Sequence, residues 1–270
     1  ALRRHLQMCI RDGVGAVAQS RAAGVADGGQ LSRLRTQGGD VMNAPGRFPR
    51  TVLFDLDGTL LDSAPDMLAT VNRMRAQRNR PPMALGELRP HVSKGARAMS
   101  AAAFPDADLA ERQDMVPEFL SIYREELGRH GGPFDDIPAL LDALEADGVI
   151  WGVVTNKPEY LASEVLRALE WQFRCKVLVG GDSLAERKPH PLPLLHAAQT
   201  LGVDPADCVY VGDDERDIEA ARAAGMPSIV ALWGYRLGDD LPRNWGGDVM
   251  IDQPGELLDP ACWPRVATRG

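Results

Sequence analysis

Four short polar clusters in this chain have the residue types and spacing to do chemistry, and the sharpest is Asp55-Leu56-Asp57-Gly58-Thr59. It follows directly on the apolar run Thr51 to Phe54. Side chains alternate along a strand, so carboxylates at i and i+2, where a strand gives out, can point to one side. Gly58 lets the chain turn sharply behind them. The pair reads as catalytic. Its alternatives are acids that merely end a strand, or a calcium loop, which would need more oxygen ligands and a Glu near the twelfth position between two helices.

The second cluster is Val153-Val154-Thr155-Asn156-Lys157-Pro158, a strand end leading into a helix that Pro158 can begin. A hydroxyl with backbone N–H groups at a helix N-terminus makes a phosphate clamp; taken alone, Thr155 is equally a capping residue. The third is Arg187-Lys188-Pro189-His190-Pro191, where Lys188 precedes a helix and by itself reads as a solvated charge. The fourth is Gly212-Asp213-Asp214-Glu215-Arg216-Asp217, whose acids could hold a hard cation such as Mg²⁺ or simply suit the start of a helix.

Short apolar runs alternating with amphipathic stretches must position these clusters, a pattern of α/β class with a parallel sheet and helices on both faces. The expected strands are 51–55, 149–155, 177–179, 208–211, 228–232 and 249–252. The expected helices between them are 158–169, 191–201 and 215–224. The interval from Asp62 to about Asp136 breaks the rhythm with consecutive helical patterns, among them 64–79, 98–104 and 113–128. Such an insert would sit above the carboxyl ends of the strands, where open α/β sheets bind ligands. Within it, Ser93, Lys94 and Arg97 lie in a polar, Gly-containing loop that is either a substrate loop or an ordinary helix start. Its two cations would suit a substrate carboxylate.

The four clusters, in this order and each at a strand's carboxyl end, resemble the motifs of the haloacid dehalogenase superfamily over about residues 50–258. The resemblance implies an HAD-like Rossmannoid sheet with an all-helical type C1 cap, as in the phosphoglycolate phosphatase branch. Dehalogenases lack the second Asp, so Asp57 implies a phosphoryl-transfer member. Asp55 would then be the nucleophile that forms an aspartyl-phosphate, and Asp57 the general acid and later base. Mg²⁺ would be held by Asp55, the Asp57 main-chain oxygen and Asp213. Thr155, Asn156 and Lys188 would bind phosphate, with Thr59, Asp214 and Asp217 in support, Asp217 orienting Lys188 or a metal-bound water. Five further strings resemble the N-acetylmuramic acid 6-phosphate phosphatases of peptidoglycan recycling: Val92 to Met99, Trp151 to Pro158, Val211 to Ile218, Gly234-Tyr235 and Asn244-Trp245-Gly246. The expected substrate is therefore that amino-sugar phosphate, with 2-phosphoglycolate as the alternative. A β-phosphoglucomutase-like mutase and a non-enzymatic interaction protein stand further back.

Composition agrees with an ordinary globular chain: 270 residues, 44% hydrophobic, 25% charged, net charge −8. That balance gives no electrostatic reason to expect nucleic acid or an anionic membrane as a partner, though it leaves room for local basic patches. The expected partner is a small phosphorylated metabolite, bound by a monomer or homodimer. Four scattered cysteines form no C-x-x-C pair and suggest a reducing cytoplasm. Residues 1–41 hold six Arg, three Asp, seven Gly and no aromatic residue, too little for a packed core. Residues 1–48 are thus expected to be a disordered or non-native extension, with a natural start at Met42. Six Arg against three Asp leave +3 in that segment, and 24 basic against 35 acidic side chains leave −11 on the 229 residues from Met42. The expected core is 49–62 with 137–262, the cap 63–136, and 263–270 a tail.

Overall fold

The computed structural model describes residues 47–266. The expected extension over 1–41 and its start at Met42 lie outside the described residues. Six strands form one parallel sheet: β1 (Thr51–Phe54), β4 (Ile150–Val154), β5 (Leu178–Val179), β6 (Cys208–Gly212), β7 (Ser228–Ala231) and β8 (Val249–Ile251), in the order β5-β4-β1-β6-β7-β8. The register sets Phe54 beside Val153 of β4 and Val211 of β6. Consequently the segments that follow β1, β4 and β6 leave the sheet side by side. These are three of the four clusters singled out above.

The near-continuous burial of β1 and β6 is that of strands covered on both faces. Val52, Phe54, Val209 and Val211 pack with α5 (Ile137–Ala146) and α6 (Glu159–Ala168), while Leu53, Cys208 and Tyr210 pack with α7 (Leu192–Leu201) and α8 (Glu215–Ala224). Helix α5 supplies Ile137, Leu140, Leu141 and Leu144, a 3.6-residue stripe. The core runs further than expected at both ends. Phe48 is buried, stands edge-on to Trp263 at 6.1 Å, and donates its N–H to Asp147 Oδ2 at 3.1 Å. Trp263 is buried too, with Nε1 donating to Leu257 O at 2.8 Å. Phe48 thus does not belong to an extension, nor Trp263 to a tail, because together they cover an apolar sheet face.

The insert hangs from a two-residue antiparallel ladder between β2 (Leu61–Asp62) and β3 (Gly132–Pro133). Between them lie α1 (Ala64–Gln77), α2 (Leu85–Leu88), α3 (Ala96–Ala103) and α4 (Leu109–Glu126). Met67, Val71 and Met74 of α1 meet Met99 of α3 and Phe119, Ile122 and Tyr123 of α4, giving the cap its own core. Helix α4 starts four residues before the expected Gln113. The Asp108 side chain accepts from Glu111 N and the Glu111 carboxylate accepts from Asp108 N, both at 2.8 Å, which closes a capping box. The chain leaving α4 is tied back to α1 through buried Asp66. Its carboxylate accepts from the backbone N–H of Gly128, Arg129, His130 and Gly131 at 2.7 to 3.2 Å. Among the described residues no helix is long and apolar enough to cross a membrane.

Candidate active site

Asp55 stands one residue past β1, its N–H bonded to Val211 O at 2.9 Å and its side chain nearly buried. Gly58 turns the chain at φ +90°, and a Cβ there would come within 2.2 Å of Asp213 Oδ2. Gly234 is equally confined, since its Cβ would meet Asp213 Cβ at 2.2 Å. Glycines on two separate loops therefore make room for one carboxylate. Asp213, fully buried after β6, accepts from Thr59 Oγ1 at 3.2 Å, Ser93 Oγ at 2.7 Å and Tyr235 N at 2.8 Å.

Lys188 is buried and lies among four oxygens: Asp217 Oδ1 at 2.7 Å, Tyr210 Oη at 2.8 Å, and Val154 O and Asp55 Oδ1 both at 2.9 Å. An ammonium has three protons, and the Asp55 contact is ionic without hydrogen-bond alignment. Burial works against the Lys188 charge, yet Asp217 and Asp55 outweigh it and raise its pKa above the ordinary value. The expectation of a solvated lysine, read from the loop alone, is thus replaced by a buried one. Asn156 donates its amide to Lys188 O at 2.9 Å and so braces the loop that carries it. Thr155 Oγ1 accepts from Lys157 N at 3.2 Å, which leaves the hydroxyl proton for another acceptor.

Asp217 accepts from Asp214 N at 3.0 Å with the oxygen that Lys188 does not take. Burial pushes its pKa up to about 6 from the ordinary 3.8, with Lys188 opposing the rise. Asp213 is driven well above the carboxylate range by burial, then by Asp55 and Asp217. Carboxylate oxygens of these three acids lie within 4.8 Å of one another. Buried hard-oxygen donors in excess of their cationic partners fit a small divalent cation, which would reverse the unfavourable charge on Asp213. Asp55, Asp213 and Asp217 are the carboxylates close enough together to hold it.

The cap closes over this cluster, leaving a cavity of about 310 Å³. Asp55, Asp57, Thr155 and Lys188 line its floor, and Met67, Val92, Met99 and Phe119 line its apolar roof. The cap cations do not stand free as a pair. Lys94 Nζ contacts Asp214 Oδ2 at 2.9 Å and Asp240 Oδ1 at 3.5 Å, so those acids already neutralise it. Asp214 also accepts from Arg216 Nε at 2.7 Å. Burial opposes its ionisation, but Arg216 and Lys94 hold its pKa below the ordinary value. Arg216 reaches on to Ser93 O. Ser93 and Lys94 therefore seat the cap loop on Asp213 and Asp214, while Arg97 lines the cavity as an exposed side chain.

Several residues of the site escaped motif reading. Lys157 places Nζ 2.9 and 3.1 Å from the two Asp57 oxygens and 2.5 Å from Tyr123 Oη. The only local signal was a lysine at a strand end before a proline. Tyr123 and Tyr210 come from two remote segments, and in an isolated sequence nothing separates them from core aromatics; Tyr235 lay in the Gly234-Tyr235 string, but without a role.

This parallel sheet, helical cap and acid cluster are those of the haloacid dehalogenase-like hydrolases. The model of that family matches residues 52–231, and the chain belongs to it. It is a phosphatase of the family. A phosphoglycolate phosphatase of Xanthomonas campestris pv. campestris (strain 8004) is 63% identical over 219 residues, 81% of this chain and 99% of that one. An N-acetylmuramic acid 6-phosphate phosphatase of Pseudomonas aeruginosa is 46% identical over 211 residues, 78% and 93% of the two chains. Among solved structures, a predicted phosphoglycolate phosphatase from Haemophilus somnus 129pt superposes with a TM-score of 0.70 at 29% identity, covering 78% of this chain and 97% of that one.

Proposed function

We propose that the chain is a Mg²⁺-dependent phosphomonoesterase whose substrate is 2-phosphoglycolate. The observation that carries the chemistry is Asp55, held against the buried Lys188 ammonium on the cavity floor. Phosphatases of the family generally use Mg²⁺, which would sit against Asp55, Asp213 and the main-chain oxygen of Asp57. When bound it supplies positive charge that lets a carboxylate approach a phosphate dianion. An Asp55 oxygen attacks phosphorus as the ester P–O bond breaks, and the departing oxygen takes a proton from Asp57. Water then attacks the aspartyl-phosphate, loses its proton to Asp57, and frees Asp55. Lys188 and the Thr155 hydroxyl hold the phosphoryl oxygens through both steps. Asp217 keeps Lys188 in place.

The substrate order departs from the sequence expectation, because the relative at 63% identity bears the phosphoglycolate name and the muramic one stands at 46%. One observation favours the amino-sugar phosphate as a second reading. The 310 Å³ cavity with its apolar roof falls in the range of roughly 300 to 1,000 Å³ that holds drug-sized ligands, more than a two-carbon ester fills. Phosphate release from 2-phosphoglycolate and from N-acetylmuramic acid 6-phosphate, compared as kcat/KM with Mg²⁺ present, decides between them. A higher value for the sugar phosphate reverses the assignment and leaves the chemistry standing.

Cation binding is testable without turnover. At 100 times its dissociation constant, Mg²⁺ is expected to stabilise the fold by about 2.7 kcal/mol, a rise in Tm of about 5–10 °C for a chain of this size. Asp217, and Asp213 still more, have folded pKa values above the ordinary one, so lowering the pH fills the site with protons that compete with the metal. The rise should be smaller at pH 5 than at pH 8. Thermal unfolding with and without Mg²⁺ at both pH values checks this, and an unchanged Tm at pH 8 removes the proposed site.

A further inference from the structure

Asp57 has to give and take a proton at defined places, and the contacts that aim its carboxylate come from two distant segments. Because β1 and β4 pair with Phe54 beside Val153, Asp57 and Lys157 emerge next to each other. The Lys157 ammonium, only 3% exposed, bridges both Asp57 oxygens. Its remaining described hydrogen-bond partner is Tyr123 Oη, on helix α4 of the cap. Tyr123 is itself fixed by stacking on Phe119, ring centroids 6.0 Å apart. All three side chains face the same cavity. Lys188 serves Asp55 and Lys157 serves Asp57, so the two lysines divide the site between its two acids.

We propose that Lys157 is the positioning residue of Asp57, and that Tyr123 holds Lys157 there, so that the acid–base carboxylate is aligned only while the cap is seated. This rests on the phosphatase reading above. As the base, the carboxylate gripped through both oxygens has one orientation available; as the acid, Asp57 carries its proton on one oxygen while the other stays on Lys157, so the side chain keeps the aim that proton delivery to a leaving oxygen needs. The grip depends on a hydroxyl that the cap brings. Separation of α4 from the core would remove it, releasing Lys157 and leaving Asp57 free to turn. Acid–base function is thereby confined to the closed, water-poor state.

The test uses the leaving group. An alkyl phosphate needs a proton as its P–O bond breaks, whereas p-nitrophenyl phosphate releases a stable anion without one. Both kcat/KM values report steps only up to that bond cleavage. For Lys157→Met, kcat/KM on 2-phosphoglycolate is expected to fall about 10²-fold, with the p-nitrophenyl ester losing far less. Tyr123→Phe, which keeps the stacked ring and so the fold, should show a smaller differential in the same direction. Equal losses on both esters in both variants would make Lys157 a plain phosphate ligand or a structural charge and overturn the proposal. The phosphatase reading fails separately: wild-type protein that releases phosphate from neither ester nor from N-acetylmuramic acid 6-phosphate, or an Asp55→Asn variant as active as wild type, removes that reading and this one with it.

Discussion

Asp55→Asn is expected to abolish phosphate release at unchanged fold. The amide cannot form the acyl phosphate, and removal of a nucleophile typically costs on the order of 10⁴-fold or more. Stability should move little. Asp55 raises the pKa of both Asp213 and Asp217 by like-charge repulsion, so neutralising it relieves strain in the metal-free protein, while the ionic contact to Lys188 is lost. The two effects oppose each other. Turnover of any phosphate monoester, read beside the far-ultraviolet spectrum and Tm, separates a chemical role from a structural one. Normal turnover in the variant would sink the mechanism. A collapse of Tm would show that Asp55 is chiefly a partner of Lys188.

Lys188→Met is expected to damage both activity and stability. The side chain is 2% exposed and balances Asp55 and Asp217. Breaking a buried pair by removing one member costs about 3–5 kcal/mol, because the other charge stays buried and unmatched. For a chain of this size that is a fall in Tm of about 6–20 °C. Rate should fall about 10²- to 10³-fold through lost stabilisation of the phosphoryl oxygens. The stability deficit depends on pH in a fixed direction. Asp217 has its folded pKa raised to about 6 from 3.8 even with Lys188 present, so its ionised form is disfavoured in the fold. Below 3.8 the group costs nothing; the cost grows between 3.8 and about 6 and levels off above, whereas a folded pKa raised further by loss of Lys188 lets it go on growing. Without Lys188 that cost is larger, so the deficit should be wide at pH 8 and narrow at pH 4.5. Urea unfolding at the two values measures it, and a deficit independent of pH would mean that Asp217 is not the stranded charge.

These outcomes share a physical origin in how strand ends gather acids. The strands were legible in the sequence because doubly covered parallel strands read as unbroken apolar runs, and β1 and β6 appear within a residue of where those runs lie. The clusters at their ends were legible for the same reason: a parallel sheet brings its carboxyl ends to one edge whatever the chain does between them. Asp55, Thr155 and Asp213 needed only that geometry to converge, whereas Lys188, nine residues past β5, is brought in by a loop that Asn156 braces. Helix α4 was legible in its body and misplaced at its start, since the Asp108–Glu111 box lies outside the apolar stripe that marks the rest.

Fold class, acid cluster and the helical insert above it were readable along the chain, because all three depend on local periodicity and on residues a few positions apart. Only the tertiary structure decided that Lys157 grips Asp57, that Tyr123 of the cap grips Lys157, that Ser93 bonds Asp213, and that Lys94 is spent on Asp214 and Asp240. It also decided that Phe48 and Trp263 close the core. Those partners lie from 34 to 215 residues apart. Such contacts follow from strand register and from the way one apolar surface settles on another, and no periodicity in the chain records either.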